Sequence, residues 1–339
     1  MINSSSKKSV SAKSSLYIFG ILILIILLCI PIFIKSANWL QIMILILWYA
    51  GLTLSWNFVG GFAGVLPLGH AAYAGVGAYV STLLFINSGL SPWIGMIIGG
   101  IVSALIALII GIPTFKLHGA YYALASIAFV ESIRMVVENT NEIFGIKVNG
   151  ARGLLIPLEG HAPILFQFGG KVYYYYVILF FVLLILFISY KIQKSKLGFY
   201  LVAGGEDQEA AESLGVNVTY QKLIALAISA FFMGILGTFY AQLILYIYPL
   251  GIISMVLSFE IAFIAIIGGR GTLFGPILGS FILVPLAEIS RMYLSGSRFL
   301  GIHLMLYSSI IILVMLYMPG GLISIFERLF YPRGIDKLR

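Results

Sequence analysis

Apolar and polar positions along this chain alternate on the scale of whole helices. Ten apolar stretches run at 17–34, 39–58, 64–86, 91–115, 119–138, 172–190, 222–248, 252–268, 273–290 and 300–318. Each approaches the roughly 20 residues that a helix needs to cross the hydrocarbon of a bilayer. The first, sixth and tenth stand out most cleanly. The third, eighth and ninth are crowded with Gly and Pro, which softens their borders. Two longer polar interruptions, 139–171 and 191–221, divide the pattern.

Basic residues give the pattern a direction, because loops on the cytoplasmic side carry the excess of Lys and Arg. With Lys7, Lys8 and Lys13 inside and the spans alternating, Lys116, the 191–221 segment with Lys191, Lys194 and Lys196, and the tail with Arg328, Arg333, Lys337 and Arg339 all fall inside. The outer loop carrying Arg291 and Arg298 is the one poor fit. An even number of spans keeps both basic termini on the same side. The expected organisation is a cytoplasmic tail (1–16), a transmembrane domain (17–320) with its long inner loop at 191–221, and a cytoplasmic tail (321–339). The fold class is all-α polytopic, with about ten transmembrane helices.

Composition excludes a soluble domain. Hydrophobic residues make up 61% of the chain, charged residues 9%, and the mean hydropathy is +1.07. Average globular usage has about a quarter charged residues. The net charge of +8 sits at chain ends and loop edges, which points to membrane topology and not to nucleic acid. The single cysteine, Cys29, allows no intramolecular disulfide and no Cys-based metal site. The stretch 17–34 is longer than a signal-peptide core, and no Ala-x-Ala site follows, so an uncleaved first span is expected.

Within 191–221 the stretch "AGGEDQEAAESLGVN" (203–217) holds Glu206, Asp207, Glu209 and Glu212, four of the chain's twelve acids. One acid at a helix centre costs about 2.5–3.5 kcal/mol on the insertion scale, so the segment belongs in water. Gly204 and Gly205 are expected to break the preceding structure. Asp207 is a plausible N-cap, and Ala210, Ala211 and Leu214 form a small apolar face at i, i+3, i+4 spacing. Gly215 suits the left-handed position that ends a helix. About two turns of helix are predicted, too short to stand alone and in need of its own neighbours or a partner's groove.

"EAAESLG" (209–215) resembles the E-A-A-x-x-x-G signature of ABC-importer permeases. "GGFAGVLPLGHAAYAGVGAYV" (60–80), "HGAYYALASIAFVESIRMVVEN" (118–139) and "SFEIAFIAIIGGRGTLFGPILGS" (258–280) occur with it in the right order and spacing. Together they are similar to branched-chain amino-acid permeases of the LivM type, over roughly residues 40 to 320. The resemblance implies a coupling helix that docks on an ATPase, carried here by Asp207, Glu209, Ala210, Ala211, Leu214 and Gly215. It also implies a second, LivH-like permease, two cytosolic ATPase subunits, an extracytoplasmic substrate-binding protein, and a place in a prokaryotic inner membrane. The substrate would be a branched-chain amino acid or a related small polar solute such as urea or an amide, with "GHAAYAGVGAYV" nearer the amino-acid branch. The chain departs from the family pattern in three places. Pro67 stands where Ser is usual, "FYLVAGG" replaces a run of arginines before the coupling helix, and "FGIKVNGARGLL" fits the glycine-rich outer loop only in part.

Pro67, Gly69, Gly75 and Gly77 in the third stretch fit either a broken helix lining a cavity or a small-residue helix packed closely on its neighbours. "GGFAGVLPLG" (60–69) and "GGRGTLFGPILG" (268–279) are loosely alike. His70, Tyr73, Glu131 and Glu260 are the candidates for a translocation pathway, since ionisable groups inside a membrane default to function. Each has a structural reading beside it. His70 fits a packed, hydrogen-bonded residue, Glu131 an i, i+3 pair with Arg134, and Glu260 a bond to the adjacent "IGGRGT" turn. Tyr121, Tyr122 and Tyr173 to Tyr176 suit interfacial belts. The sequence shows no Walker A pattern, no metal-ligand spacing and no Gly-x-Ser-x-Gly, so no catalytic role, cofactor or metal is expected, and any ATP would be bound by partner subunits. An ion-coupled secondary transporter using Glu260 or Glu131, and a channel or scaffold without energy coupling, are the alternatives.

Overall fold

A computed structural model of the chain describes residues 25–294, apart from 35, 144 and 161, together with 320–324 and isolated positions between 305 and 317. Residues 17–24 of the first predicted span, most of the tenth, the tail 1–16 and residues 325–339, with the basic residues of both tails, lie outside the described residues.

The described chain is predominantly helical. After α1 (residues 25–33) come α2 (Ala37–Asn57), α3 (Ala71–Ser88), α4 (Pro92–Thr114), α5 (Ala120–Asn139) and α6 (Lys171–Gln193). Two short helices, α7 (Lys196–Glu206) and α8 (Gln208–Ser213), lead to α9 (Val218–Ile244), the one-turn α10 (Pro249–Ile252), α11 (Met255–Gly269) and α12 (Gly275–Leu294). Two small antiparallel ladders lie at the end of the bundle away from α8. In the first, β1 (Glu142–Ile143) pairs with β2 (Ile146–Lys147). In the second, β3 (Leu154–Leu155) pairs with β4 (Tyr246–Ile247), with Leu154 opposite Ile247.

Among the described residues seven helical segments are long and apolar enough to cross a membrane: Ala37–Phe62, Pro92–Thr114, Ala120–Asn139, Lys171–Gln193, Val218–Ile244, Pro249–Gly269 and Gly275–Met292. They correspond to seven of the expected stretches. The third stretch differs. Its first residues form an irregular loop, and only Ala71–Ser88 is helical. Helix α3 is absent from the seven and is sheathed by α4, α9 and, less extensively, α5 and α11. It is buried in protein, so its Gly and Ala content need not satisfy lipid.

The glycines inside α3 serve packing. A Cβ on Gly77 would lie 2.3 Å from the Gly234 backbone, and one on Gly99 would lie 2.7 Å from the Gly77 carbonyl oxygen. Three helix backbones therefore meet at Gly77, Gly99 and Gly234, and Thr238 Oγ1 donates to the Gly77 carbonyl at 3.1 Å. Close backbone approach of this kind replaces the hydrophobic effect as the source of helix cohesion in lipid. Pro67 and Gly69, by contrast, belong to the loop.

That loop satisfies its polar groups through side chains of four helices. Trp56 Nε1 on α2 donates to the Pro67 carbonyl (2.7 Å), and the Leu68 amide donates to Ser126 Oγ on α5 (2.9 Å). His70 meets Ser229 on α9, and the Ala71 amide donates to Ser258 Oγ on α11 (3.1 Å). Irregular backbone at membrane depth is tolerated only when protein supplies such partners. The second glycine-rich loop, between α11 and α12, touches the helical turn that leads into the first: a Cβ on Gly61 would lie 2.6 Å from the Gly271 amide. Asn57 holds it, accepting from the Gly271 amide (2.8 Å) and donating to the Thr272 carbonyl (2.9 Å).

The tyrosine belts are only half realised. Tyr121 and Tyr173 are exposed, but Tyr122, Tyr174 and Tyr175 are buried. Tyr122 stacks on Phe115, and the Tyr174 and Tyr175 hydroxyls donate to the carbonyls of Phe166 and Leu27. Adjacent positions on a helix point in different directions, so a run of four cannot all face one interface.

Candidate functional site: a capped surface helix and the polar groups of the bundle

The acidic segment forms two helices where one was expected. Ser195 caps α7, accepting from the Gly198 amide, and Gly198, Leu201 and Gly204 turn inward at a spacing of three. Gly204 and Gly205 do not break the chain; they lie within α7 and bring it close. A Cβ on Gly204 would meet the Val218 side chain at 2.5 Å, and one on Gly205 would lie 3.0 Å from the Ala63 carbonyl carbon.

Asp207 separates the two helices and caps the second, its Oδ1 accepting from the Ala210 amide at 3.0 Å. Helix α8 ends in a Schellman motif. The Gly215 amide donates to Glu212 (2.9 Å), the Val216 amide to Ala211 (3.1 Å), and Gly215 has φ +85°. Gln208 Nε2 donates to Glu212 Oε1 (2.9 Å) across the exposed face. Both ends of a helix too short to persist alone are thus closed locally.

The apolar residues of α8 do not share a face. Ala211 is buried against the permease, whereas Ala210 is exposed and Leu214 is 86% exposed. Glu209 lies on the exposed surface as well. The reason is rotational: Ala210 and Ala211 are adjacent, about 100° apart around the axis, so only one can point at the bundle. Phe199 (69% exposed) and Tyr220 (58% exposed) are also open near this end.

Inside the bundle the four pathway candidates do not converge. His70 is 1% exposed, and its Nε2 lies 3.0 Å from Ser229 Oγ. The Ser229 hydroxyl proton is committed to the Ser55 carbonyl (2.7 Å), so His70 Nε2 carries the donated hydrogen. Tyr73 sits edge-on to that ring, with centroids 5.5 Å apart. Together with Pro67, Tyr122, Ser126 and Phe129, these two line a cavity of about 10 Å³, room for no more than one water.

Glu131 lies elsewhere, on α5. Arg134 Nε donates to it at 2.9 Å, and Arg134 Nη1 donates to Glu138 at 2.8 Å. The expected pair is therefore a triad. Glu138, one turn beyond Arg134, stands at i, i+4 to it, a spacing also readable in the sequence. Most of α5 is uncovered, with Leu124, Met135 and Val136 more than half exposed.

Glu260 accepts from the Tyr49 hydroxyl at 2.6 Å, across from α2. Among the described residues the expected bond to the "IGGRGT" turn is not present; Asn57 accepts from the Gly271 amide there and Thr272 from the Gly275 amide. Sequence reasoning also passed over Gln242, a lone amide in an apolar run. It is fully buried, and neither its Nε2 nor its Oε1 has a hydrogen-bond partner among the described residues; the same holds for Tyr79 Oη and Ser81 Oγ on α3.

The family model described as "Branched-chain amino acid transport system / permease component" matches residues 38–318. The chain is 30% identical over 294 residues to the high-affinity branched-chain amino acid transport system permease protein LivM of Salmonella typhimurium, covering 81% of this chain and 67% of that one. It is 29% identical to the protein of the same name from Escherichia coli, covering 92% of this chain and 76% of that one. It is 22% identical to the nucleoside ABC transporter permease protein NupC of Lactococcus lactis, covering 61% and 69% of the two chains. No solved structure matches this chain. With seven described helices able to cross a membrane and a family match spanning most of its length, the chain belongs to the branched-chain amino acid transport system permease component family, as a multi-pass membrane permease of the LivM type.

Proposed function

We propose that this chain is the LivM-like permease of an inner-membrane ABC importer for branched-chain amino acids. It works with a second permease, two cytosolic ATPases and an extracytoplasmic binding protein. The observation that carries the reading is α8, a helix capped at both ends, anchored by Ala211 and offering Glu209, Ala210 and Leu214 to whatever lies beyond. The end bearing α8 is cytoplasmic, in keeping with Lys191, Lys194 and Lys196 beside it, and both termini lie on that side of about ten spans. The printed names of the two LivM relatives support the substrate class, and the apolar character of the bundle suits a cargo selected largely by the binding protein.

Transport proceeds by alternating access. Nucleotide binding to the ATPases shifts α8, and the shift passes to the bundle through α7, whose Gly204 and Gly205 lie against α9 and the loop before α3. Such a shift requires the ATP-bound and ATP-free ATPases to interact differently with the two states. The uncovered face of α5, with its charged triad half-buried, faces the second permease across the pathway. A lipid-facing position would leave a net negative cluster in hydrocarbon.

Two experiments test this. Affinity purification of the tagged permease from its native operon is expected to retain ATPase subunits, and uptake of labelled leucine into vesicles is expected to need internal ATP and to survive collapse of the proton and sodium gradients. Recovery of the permease without any ATPase, together with gradient-dependent uptake, would overturn it. Glu260→Gln then separates it from ion coupling. The amide keeps a hydrogen bond to Tyr49, so uptake should stay within about twofold of wild type, any stability loss being on the order of 1 kcal/mol. Loss of uptake with a changed ion dependence would favour the secondary-transport reading.

A further inference from the structure

A second, larger cavity of about 180 Å³ lies behind α8, walled by the loop before α3, the α4–α5 connection, α7 and the start of α9. One water needs about 10–15 Å³ on this scale, so the space admits a small organic molecule. Val65, Phe115 and Leu117 form an apolar wall, and Gln208, His118 and Lys222 bring polar atoms to it.

Lys222 is the unusual member. It is 6% exposed, and its Nζ donates to the neutral Gln208 Oε1 at 2.8 Å. It forms no ion pair among the described residues. Glu212 acts on its charge across space without contact, and at second remove through the same Gln208 amide. The positive end of the α9 dipole adds to the lysine charge. A buried ammonium with one neutral partner and hydrogens to spare is costly unless an anion completes it, and the cavity is where an anion fits.

We propose that this cavity binds the anionic oxygens of a small solute, carboxylate or phosphate, and that the bound solute ties Gln208 of α8 to the loops around it. Lys222 supplies the charge, His118 and Gln208 the flanking polar contacts, and the apolar wall room for a side chain. A solute arriving from the α8 side then sets how freely α8 moves, which makes the site a brake on transport by an accumulated cytosolic acid. The binding stands on the cavity alone; the brake rests on the coupling role given to α8.

The test is cysteine protection. His118→Cys in a Cys29→Ser background, purified as the full transporter in nanodiscs of zwitterionic lipid, is labelled with a maleimide in the presence of leucine or of inorganic phosphate. At least one of the two is expected to slow labelling about fivefold or more in a saturable way. Adding Lys222→Gln should abolish the protection, and Gln208→Ala, which leaves the lysine in place, should weaken it without abolishing it. No protection by either probe, or protection that survives Lys222→Gln, overturns the proposal. Should Lys222→Gln fail to fold, protection left at full strength in Gln208→Ala overturns it instead. Protection produced by phosphatidylglycerol in the nanodisc with no solute added would assign the anion to a lipid headgroup and overturn the solute form. These readouts report binding in the cavity and not ATP-driven uptake, so failure here and failure of the coupling reading are distinguishable.

Discussion

Gly77→Leu is expected to yield no folded permease. A Cβ at this position would lie 2.3 Å from Gly234 Cα and 2.3 Å from its carbonyl oxygen. Both obstacles are backbone, so no rotamer change relieves them, and α3 can accept a side chain only by separating from α9. Separation would undo the contact with α4 as well, because the Gly77 carbonyl lies against Gly99 and accepts from Thr238. The single methyl of Gly77→Ala should already cost about 1–3 kcal/mol, the usual cost of overpacking a closed core. Leucine adds three more carbons in the same place. The check is membrane expression followed by size-exclusion and thermal unfolding in detergent, with a broadened or missing peak for Gly77→Leu and a lowered melting temperature for Gly77→Ala. A monodisperse leucine variant with unchanged melting would show that the α3–α9 crossing is not as close as described. Gly89, at the end of α3 with nothing near its Cβ position, marks the contrast: its demand is the left-handed φ of +62°, which asparagine tolerates.

Leu214→Asp should do the opposite, leaving the fold intact and removing transport. At 86% exposed the side chain contributes little to the permease itself, and surface changes away from caps usually stay within about 0.5 kcal/mol. Its backbone closes α8, but aspartate can adopt the same C-cap conformation. What changes is the apolar tip offered to a partner. A central interface residue is worth about 2 kcal/mol or more when truncated, and a new carboxylate beside Glu209 and Glu212 adds repulsion if the partner groove is apolar. Leucine uptake is therefore expected to fall roughly tenfold or more, with co-purified ATPase falling in parallel and the melting temperature of the permease unchanged. Normal uptake, or uptake lost together with stability, would remove α8 from the coupling role. Under the coupling reading proposed above, "FYLVAGG" ahead of α8 leaves less of the docking to charge and more to Leu214 and the exposed Phe199.

The parts of the fold that were legible in the sequence depend on length and local chemistry. Seven apolar stretches became helices able to cross a membrane because about 20 apolar residues cannot satisfy their backbone in lipid any other way. The cap at Asp207 and the turn at Gly215 were equally legible, since a carboxylate three residues before an amide and a glycine after a helix act within one turn. The Arg134 triad extended a pair already visible at i, i+3. What the sequence left open were choices between neighbours in space. Glu260 could be placed in a span but not opposite Tyr49, and Lys222 read as a span edge although its ammonium is enclosed beside a cavity. Ala210 and Ala211 looked alike until the bundle covered one and left the other.

The amino-acid sequence by itself determined a multi-pass chain with one water-facing acidic helix, because the cost of charge in hydrocarbon and the hydrogen-bonding needs of a backbone in lipid are set residue by residue. Tertiary structure alone decided what the glycines do. Gly77 and Gly234 join backbones, Gly204 and Gly205 fasten α7 to the bundle, and Gly215 turns the chain. A glycine's local freedom is the same everywhere, and its role depends on what stands within a few ångströms of the missing side chain.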